Sequence, residues 1–216
     1  LQQANVSERW QRSVDYVISG ARRMARLVDQ LLDLARARQA GGIPIRLTPE
    51  TDLGEVVRAA VDELSAAHPR AEIALTMGET ISGAWDPDRL AQVASNLIGN
   101  AVVHGTGRVR VSVRRSAAEA ILEVQNGGAP ISAEVVPHIF EAFQRSAGEL
   151  SSHGRGLGLG LFIAERIVAA HGGRIGVRSN AEDGTIFAVA LPAPLARPAP
   201  GLASAAAAEA PHLAVG

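Results

Sequence analysis

The chain has 216 residues, of which 47% are hydrophobic, 20% charged and 3% aromatic, enough apolar material for one domain and an accessory element. Its 21 basic and 22 acidic residues give a net charge of -1, which does not favour nucleic-acid or membrane-surface binding. The absence of cysteine excludes disulfides, thiolate nucleophiles and iron–sulfur clusters. Every basic residue is arginine, which excludes a P-loop lysine and Schiff-base chemistry.

No apolar run reaches the roughly 18 residues of a membrane span. The chain begins at Leu1 and shows no signal-peptide pattern. We therefore expect a soluble, cytoplasmic piece of a longer protein, without direct membrane contact.

A regular apolar repeat predicts a long helix over residues 7–38. Its apolar positions alternate in steps of four and three, and they are Trp10, Val14, Val17, Ala21, Met24, Val28, Leu31 and Ala35, with Ile18, Ala25 and Leu32 along one side. So wide a stripe favours a bundle of helices; the alternative is a helix packed on its own domain. Gly41-Gly42 end the helix and predict a hinge that few contacts cross.

The rest of the chain predicts an α+β fold. The expected elements in order are a strand at 43–47, a helix from the Asp52/Glu55 capping box to 67, a strand at 71–77, a helix over 86–103, strands at 109–115 and 120–125, a helix over 160–171, and strands at 174–179 and 185–191. This order predicts a two-layer sandwich with helices on one face of a mixed, antiparallel-rich sheet. The Ala/Pro-rich residues 192–216 are expected to be disordered. The predicted divisions are thus 1–41, 42–191 and 192–216.

A glycine-rich segment, Arg155-Gly156-Leu157-Gly158-Leu159-Gly160-Leu161, directly precedes the fourth predicted helix. Three glycines allow close approach of the backbone, and unpaired amides at a helix start suit phosphate groups. The spacing does not match the dinucleotide-binding fingerprint, which excludes that interpretation. A purely structural turn is the alternative.

Asn96, Asn100 and His104 are spaced four apart, so they share one face of the predicted 86–103 helix, opposite its apolar stripe. Amide oxygens are adequate ligands for Mg²⁺, which takes its other oxygens from water and phosphate. The alternative is ordinary solvent-exposed asparagine, and His104 alone suggests a packing or helix-end residue.

Three further motifs follow in chain order: Asn126-Gly-Gly-Ala-Pro-Ile131 after a strand, Phe140-Glu-Ala-Phe143 before Arg145, and Gly184-Thr185 before the last strand. Together with the two motifs above, they resemble the ATP-binding domain of sensor histidine kinases, in the superfamily shared with gyrase, the Hsp90 chaperones and MutL. The matching motifs are the N box at Asn96 and Asn100, the first glycine box at 126–131, the F box at 140–143, the second glycine box at 156–161 and the last at 184–185. The resemblance covers residues 43–191.

The helix before this region, with Arg23-Met24 and Leu31-Leu32-Asp33, is similar to the second helix of the family's dimerisation and phosphotransfer hairpin. Gly42-Ile-Pro44, Trp85-Asp86 and the run from Asn100 to Gly105 are similar to phytochrome-type and PAS-linked kinases. The resemblance implies three partners: a second copy through residues 7–38, the receiver domain of a response regulator and an upstream sensor domain.

The resemblance also implies ATP and Mg²⁺ as cofactors, with Asn100 as metal ligand and Asn96 and Arg145 as catalytic residues. The implied nucleotide contacts are Asn96, Asn100, His104, Asn126, Gly128, Pro130, Ile131, Phe140, Phe143, Arg155, Gly156, Leu157, Gly158, Leu159, Gly160, Leu161 and Thr185. Arg145 and Arg155 are candidate γ-phosphate contacts or, alternatively, solvated surface arginines. Gyrase-like ATPases have a glutamate at the position of Asn96; an amide cannot act as a general base, which favours phosphoryl transfer over hydrolysis.

Four positions depart from the family pattern. Asn126 replaces the usual aspartate, so its bond to the adenine amino group loses charge assistance, a cost of roughly 1 kcal/mol. Pro130 replaces a glycine, Ala142 a proline, and Val103 a frequent basic residue.

The expected phosphoacceptor histidine is missing from the chain. The six histidines are His68, His104, His138, His153, His171 and His212, and none lies in an upstream helix with an adjacent acid and a following proline. The simplest expectation is a kinase catalytic fragment truncated before the second hairpin helix, which does not phosphorylate itself. Two alternatives remain: an anti-sigma-type serine kinase, and a non-catalytic nucleotide-binding dimerisation module.

Overall fold

A computed structural model describes residues 2–39, 42–144 and 157–193. The helices in these ranges are α1 (Gln2–Ala37), α2 (Leu53–Ala67), α3 (Pro87–His104) and α4 (Gly160–Ala170). The strands are β1 (Thr48–Asp52), β2 (Ile73–Met77), β3 (Ser82–Trp85), β4 (Thr106–Ser116), β5 (Glu119–Gly127), β6 (Arg174–Asn180) and β7 (Gly184–Pro192). A single 3₁₀ turn covers Val136–His138.

The main sheet has five strands in the order β2-β4-β5-β7-β6. The β2–β4 pair is parallel, and the other three pairs are antiparallel. A separate two-stranded antiparallel ribbon joins β1 to β3. This mixed, antiparallel-rich sheet with its helices confirms the predicted α+β class.

One face of the sheet forms the core with α2, α3 and α4. Val111, Val124 and Phe187 are direct neighbours across β4, β5 and β7, and each is buried. Residues one position along the strands face the opposite side, where Arg114 and Glu123 form an exposed ion pair at 3.1 Å. Because strand side chains alternate between faces, the apolar side meets the helices and the charged side meets water. The fold is therefore a two-layer sandwich, as predicted.

Aspartates begin two of the helices. Asp52 accepts a hydrogen bond from the amide of Gly54 at 2.8 Å, and Asp86 accepts one from the amide of Arg89 at 3.1 Å. These bonds satisfy amides that have no partner within the helix. Glu55, expected to complete a capping box, binds the guanidinium of Arg58 at 2.5 Å instead.

The strand predicted at residues 43–47 is wrong, and the ribbon strands β1 and β3 were not predicted. Ile43 is buried, which explains the apolar signal. The amide of Arg46, however, donates to Asp86 Oδ2 at 2.7 Å. A side chain thus holds this segment against the start of α3, and the first strand begins only at Thr48.

Helix α1 confirms the predicted helix and extends it toward the start of the chain. The expectation that few contacts cross the glycine hinge is wrong, because Asp33 near the end of α1 is buried against α3. Both of its carboxylate oxygens lie 3.0 Å from Arg89 Nη1, and Gln92 Nε2 donates to Oδ2 at 2.8 Å.

The last strand ends slightly beyond the predicted boundary. It includes Pro192, and the following Ala193 is buried with its amide bonded to Ala118 O at 2.9 Å. The remaining residues of the expected tail, 194–216, lie outside the described ranges. In the part of the chain that is described, no helix combines the length and the apolarity needed to cross a bilayer.

Candidate nucleotide site

The predicted asparagines lie on α3 as expected from their spacing. Asn96 and Asn100 are half-buried and His104 is exposed near the end of the helix. The core-facing positions of α3, Leu90, Val93, Leu97 and Ala101, are all buried. Among the described residues, the Nδ2 group of Asn96 is the one buried side-chain nitrogen or oxygen without a hydrogen-bond partner. A buried donor of this kind is costly unless a ligand supplies an acceptor.

The start of α4 lies against that asparagine. A β-carbon on Gly160, the first residue of α4, would lie 3.4 Å from Asn96 Oδ1. The N-cap residue Leu159 contributes no side-chain hydrogen bond, so the first amides of α4 remain for an acceptor from outside the helix. A helix start beside an unpaired buried amide donor forms a site suited to an anion.

The second glycine box is partly a structural element. Leu159 is fully buried in the core, so only its backbone can meet a ligand, whereas Leu157 is exposed and Leu161 half-buried. Gly158 has φ +71°, and a β-carbon there would lie 2.7 Å from the carbonyl oxygen of Gln144. Its own carbonyl accepts from the amide of Phe143 at 3.0 Å.

This hydrogen bond joins the two described segments on either side of residues 145–156. The predicted contacts Arg145, Arg155 and Gly156 lie outside the described residues.

Asn126 on β5 lies at the C-terminal end of α3 and begins a row of three polar side chains. Asn126, Thr185 and Ser179 are cross-strand neighbours on β5, β7 and β6, on the helix-facing side of the sheet. Asn126 and Thr185 are buried, each 6% exposed. The row is polar, whereas the next row along the same face, which includes Phe187, is apolar.

Asn126 is held at the C-terminal end of α3. A β-carbon on Gly105 would lie 2.8 Å from Asn126 Nδ2, so only glycine allows this approach. The side-chain Nδ2 group of Asn126 donates to the backbone carbonyl of Gly127 at 2.8 Å. Its Oδ1 atom is then the group that the side chain offers to a ligand as an acceptor.

A hydrogen-bond chain connects the first and last glycine boxes. The amide of Ile131 donates to Ser179 Oγ at 3.0 Å, and this oxygen lies 2.8 Å from Thr185 Oγ1. Gly184, with φ +74°, leaves no room for a side chain, because a β-carbon there would lie 2.2 Å from the carbonyl oxygen of Asn126.

Gly128 is half-buried in the turn that follows β5, and Pro130 is exposed.

The two phenylalanines of the F box have different environments. Phe140 is half-buried and packs edge-on against Phe187, with ring centroids 6.3 Å apart and planes at 79°. Phe143 is 50% exposed. Phe140 therefore anchors this segment to the core beside the polar row, while Phe143 lies at the surface.

The two parts of the site are separated by half the length of α3. Asn96 and Gly105 are nine residues apart, which corresponds to about 13 Å at 1.5 Å per helical residue. One end offers an anion site and the other an acceptor and a hydroxyl in a buried row. Such an arrangement suits an elongated ligand with a polar heterocycle and phosphate groups.

Asn100 is the residue that the sequence predicts as a ligand of Mg²⁺. The described residues contain no group of three His, Asp or Glu side chains that could hold a metal alone. An amide oxygen beside a phosphate site fits Mg²⁺, which uses few protein ligands and completes its shell with phosphate oxygens and water. The residues present therefore fit a nucleotide-bound Mg²⁺.

Sequence reasoning missed Ser179 and Gly105. Ser179 follows Ile175 and Val177 at alternate positions of β6, so it looks like one more residue of a half-buried strand. Only the β6–β7 register shows that Ser179 lies opposite Thr185. Gly105 could have been noticed as the residue after His104, at the end of α3.

Residues 85–195, just over half of the chain, match the family of "Histidine kinase-, DNA gyrase B-, and HSP90-like ATPase" domains. The chain belongs to this family, and it has the ATP-binding catalytic domain of a sensor histidine kinase.

The similar proteins are sensor histidine kinases and a bacteriophytochrome. The chain is 37% identical to a bacteriophytochrome of Pseudomonas aeruginosa over 82% of its own length and 24% of that protein. It is 36% identical to the sensor histidine kinase TrcS of Mycobacterium tuberculosis, over 81% of the chain and 35% of the relative. The chain thus spans about a quarter to a third of these relatives.

Two solved structures extend the comparison. Full-length ShkA in complex with AMPPNP aligns with a TM-score of 0.67 and 29% identity over 80% of this chain and 36% of that one. The mycobacterial sensor histidine kinase MprB aligns with a TM-score of 0.59 and 25% identity over 69% of this chain and 100% of that one.

Proposed function

We propose that Asn96, Asn100, Asn126 and Thr185 line a cleft along α3 that binds ATP with Mg²⁺. The γ-phosphoryl group is transferred from this ATP to a histidine on a dimerisation hairpin, in two-component signalling. The observation that carries this proposal is the unpartnered Nδ2 of Asn96 beside the start of α4. Within the described residues, the Nδ2 group of Asn96 and the first amides of α4 both lack an acceptor, which a phosphate group would supply. The opposite end, at Asn126 and Thr185, would then hold adenine.

Asn96 and Asn100 would divide the phosphate chemistry. Asn96 would donate to a phosphate oxygen, and the Oδ1 atom of Asn100 would ligate Mg²⁺. The metal, when bound, supplies positive charge that stabilises the charge developing on the transferred phosphoryl group. Asn96 cannot take a proton from water, which supports transfer to a protein side chain over hydrolysis.

The reaction would move one phosphoryl group. The bond between the γ-phosphorus and the bridging oxygen of ATP breaks, ADP leaves with that bond's electron pair, and an imidazole nitrogen of the acceptor forms the new bond to phosphorus. Arg145 and Arg155 would contact the γ-phosphate. The histidines at the described positions 68, 104, 138 and 171 are in or beside the sandwich domain, so the acceptor would come from another chain or segment.

Binding is tested by titrating ATP into the chain with Mg²⁺ and with EDTA. Asn100→Ala should weaken binding in Mg²⁺ far more than in EDTA, because it removes a metal ligand. Asn96→Ala is the matched control on the same helix face, and its loss should be similar in both conditions. Equal losses for Asn100→Ala in the two buffers would remove Asn100 from the metal shell.

Transfer is tested by mixing the chain with a separate acceptor hairpin and ATP labelled at the γ-phosphate. Acid-labile label on the hairpin is expected, because phosphohistidine hydrolyses in acid. Acid-stable label would support a serine kinase instead. ATP binding without label would support a nucleotide-binding dimerisation module.

The partners are proposed on the same basis. The exposed stripe of α1 would pair with a second copy, and a response-regulator receiver domain would accept the phosphoryl group on the cytoplasmic side of the cell. An upstream sensor domain would control the kinase. Labelled phosphate on the chain itself would show that the acceptor histidine lies within this chain, contrary to the proposal.

A further inference from the structure

The polar row at the Asn126 end of the cleft contains a residue with no assigned role. Ser179 is half-buried at the end of β6, directly opposite Thr185 and on the same side of the sheet. Its neighbours along this face are apolar, as in the Val177–Phe187 pair. A serine at this position therefore does not complete the core, and its hydroxyl lies between two segments of the nucleotide cleft.

The partners of Ser179 determine where its proton can go. A serine hydroxyl has one proton to donate and two lone pairs that accept. The amide of Ile131 can only donate, so it occupies one lone pair of Ser179 Oγ at 3.0 Å. Thr185 Oγ1 lies 2.8 Å from the same oxygen, and either hydroxyl could donate across this contact.

One direction satisfies every group once a ligand accepts from Thr185. If Ser179 donates to Thr185, its proton has a partner and the Thr185 proton can bond to the ligand. If Thr185 donates instead, the Ser179 proton takes part in none of the hydrogen bonds of the described residues. The favoured arrangement runs from Ile131 N–H through the two hydroxyls toward the cleft. Aligned hydrogen bonds of this kind strengthen one another.

We propose that Ser179 is a positioning residue that makes Thr185 a hydrogen-bond donor and thereby selects adenine over guanine. This inference rests on the proposed ATP binding. Asn126 Oδ1 offers an acceptor, and Thr185 then offers a donor on the neighbouring strand. The adenine edge carries an amino donor beside a ring-nitrogen acceptor, which complements this pair. The guanine edge reverses both groups and would leave them unpaired.

The test compares dissociation constants for ATP and GTP, in Mg²⁺, between the unaltered chain and Ser179→Ala. Without the serine donor, the Thr185 hydroxyl can turn and accept, so the preference for ATP should fall by about five- to tenfold. Ser179→Thr keeps the hydroxyl and should keep the preference. Ser112→Ala is a matched control, because Ser112 is a half-buried serine on β4 whose row, with Glu123, faces the other side of the sheet.

A double-variant comparison separates positioning from a merely structural role. In a Thr185→Ala background, Ser179→Ala should leave the ATP/GTP ratio unchanged, because the hydroxyl it directs is already absent. If Ser179→Ala fails to fold, Ser179→Cys takes its place, since a thiol is a weak donor and should also lower the preference.

Two results would overturn the inference in different ways. If Ser179→Ala weakens the binding of ATP and GTP equally, at an unchanged ratio, Ser179 is structural while the proposed ATP site stands. If the unaltered chain does not bind ATP at all, the proposed function fails, and the role of Ser179 fails with it.

Discussion

Helices α1 and α3 are both amphipathic, yet the apolar face of α3 is buried and most of the apolar face of α1 is exposed. On α3, Leu90, Val93 and Leu97 are at most 2% exposed, because α2, α4 and the sheet cover them. On α1, Val17 is 71% exposed and Met24 63%. Burying a large aliphatic side chain is worth roughly 1.5–3 kcal/mol. The comparison teaches that an apolar periodicity predicts a buried face but not which surface buries it.

The last turn of α1 is the exception on that helix. Leu34 and Asp33 are 7% and 2% exposed, and α1 contacts α4 and, through Asp33, α3. The buried Asp33 forms an ion pair with the half-buried Arg89, seven residues before Asn96 on α3. The long helix is thus attached at one end to the helix that carries the candidate phosphate and metal ligands.

The largest expected effect contrasts a glycine of the sandwich with a glycine of α1. Gly184→Ala combines positive φ with a β-carbon 2.2 Å from the carbonyl oxygen of Asn126. We expect it to lower the free energy of unfolding by about 3 kcal/mol or more. Gly20→Ala meets nothing within 4 Å and should raise helix stability by about 0.5–1 kcal/mol. Urea denaturation measures both, and equal effects would contradict the contrast.

The next effect concerns the attachment of α1. Asp33→Ala leaves Arg89 and Gln92 without their shared acceptor in a half-buried contact, which should cost about 2–3 kcal/mol. Hydrogen exchange should speed up in the last turns of α1 and less in the sheet. Asp29→Ala, which changes an exposed aspartate one turn earlier, is the control. Unchanged exchange in α1 after Asp33→Ala would show that the ion pair does not hold the helix.

A smaller effect, dependent on pH, is expected at Asp86, which binds both the segment before β1, at Arg46, and the first turn of α3. Burial is the largest influence and raises the pKa of Asp86, but hydrogen bonds from the Arg46 and Arg89 amides and the electrostatic influence of His171 and Arg89 lower it below its ordinary 3.8. A lowered folded-state pKa stabilises the fold above the unfolded pKa, and this stability is lost as the pH falls through the folded pKa.

Asp86→Asn should therefore cost about 1 kcal/mol near pH 7, where the carboxylate is charged. The difference from the unaltered chain should shrink as the pH falls below 3.8. Chemical denaturation at a series of pH values measures it, and a difference independent of pH would contradict this account.

The smallest effect expected on the sandwich comes from the exposed stripe of α1. Val28→Asp with Leu31→Asp should convert a self-associating chain into a monomer, because both side chains are about half exposed and the described residues of the same chain do not cover them. ATP affinity should stay the same, since neither residue approaches the cleft. Sedimentation and ATP titration measure the two properties. An unaltered chain that is already monomeric would contradict the proposed association through α1.

Much of the fold could be predicted because its signals are local. Asp52 and Asp86 begin helices, and alternating apolar residues mark β4 to β7. The ribbon of β1 and β3 could not be predicted in this way. Its strands, Thr48–Asp52 and Ser82–Trp85, are short, and α2 and β2 lie between them in the sequence. The docking of Asp33 was equally hidden, since its partner Arg89 lies 56 residues away.

The candidate site divides in the same way. Asn96 and Asn100 share a helix face, which their spacing alone predicts. The connection from Ile131 through Ser179 to Thr185 depends on the register of β6 and β7, which no local pattern contains. Leu159, expected among the nucleotide contacts, has its side chain in the core, because a glycine-rich segment can turn a single residue inward.

The most direct test of the central claim compares adenosine with ATP·Mg²⁺ in a two-dimensional NMR titration of the chain. Adenosine lacks phosphate, so it should shift amide signals at Asn126, Thr185 and Ser179 and leave Asn96 and Gly160 unchanged. ATP·Mg²⁺ should shift both groups, which lie half the length of α3 apart. If ATP·Mg²⁺ shifts neither group, or if adenosine shifts the Asn96 and Gly160 signals instead, the proposed cleft or its orientation is wrong.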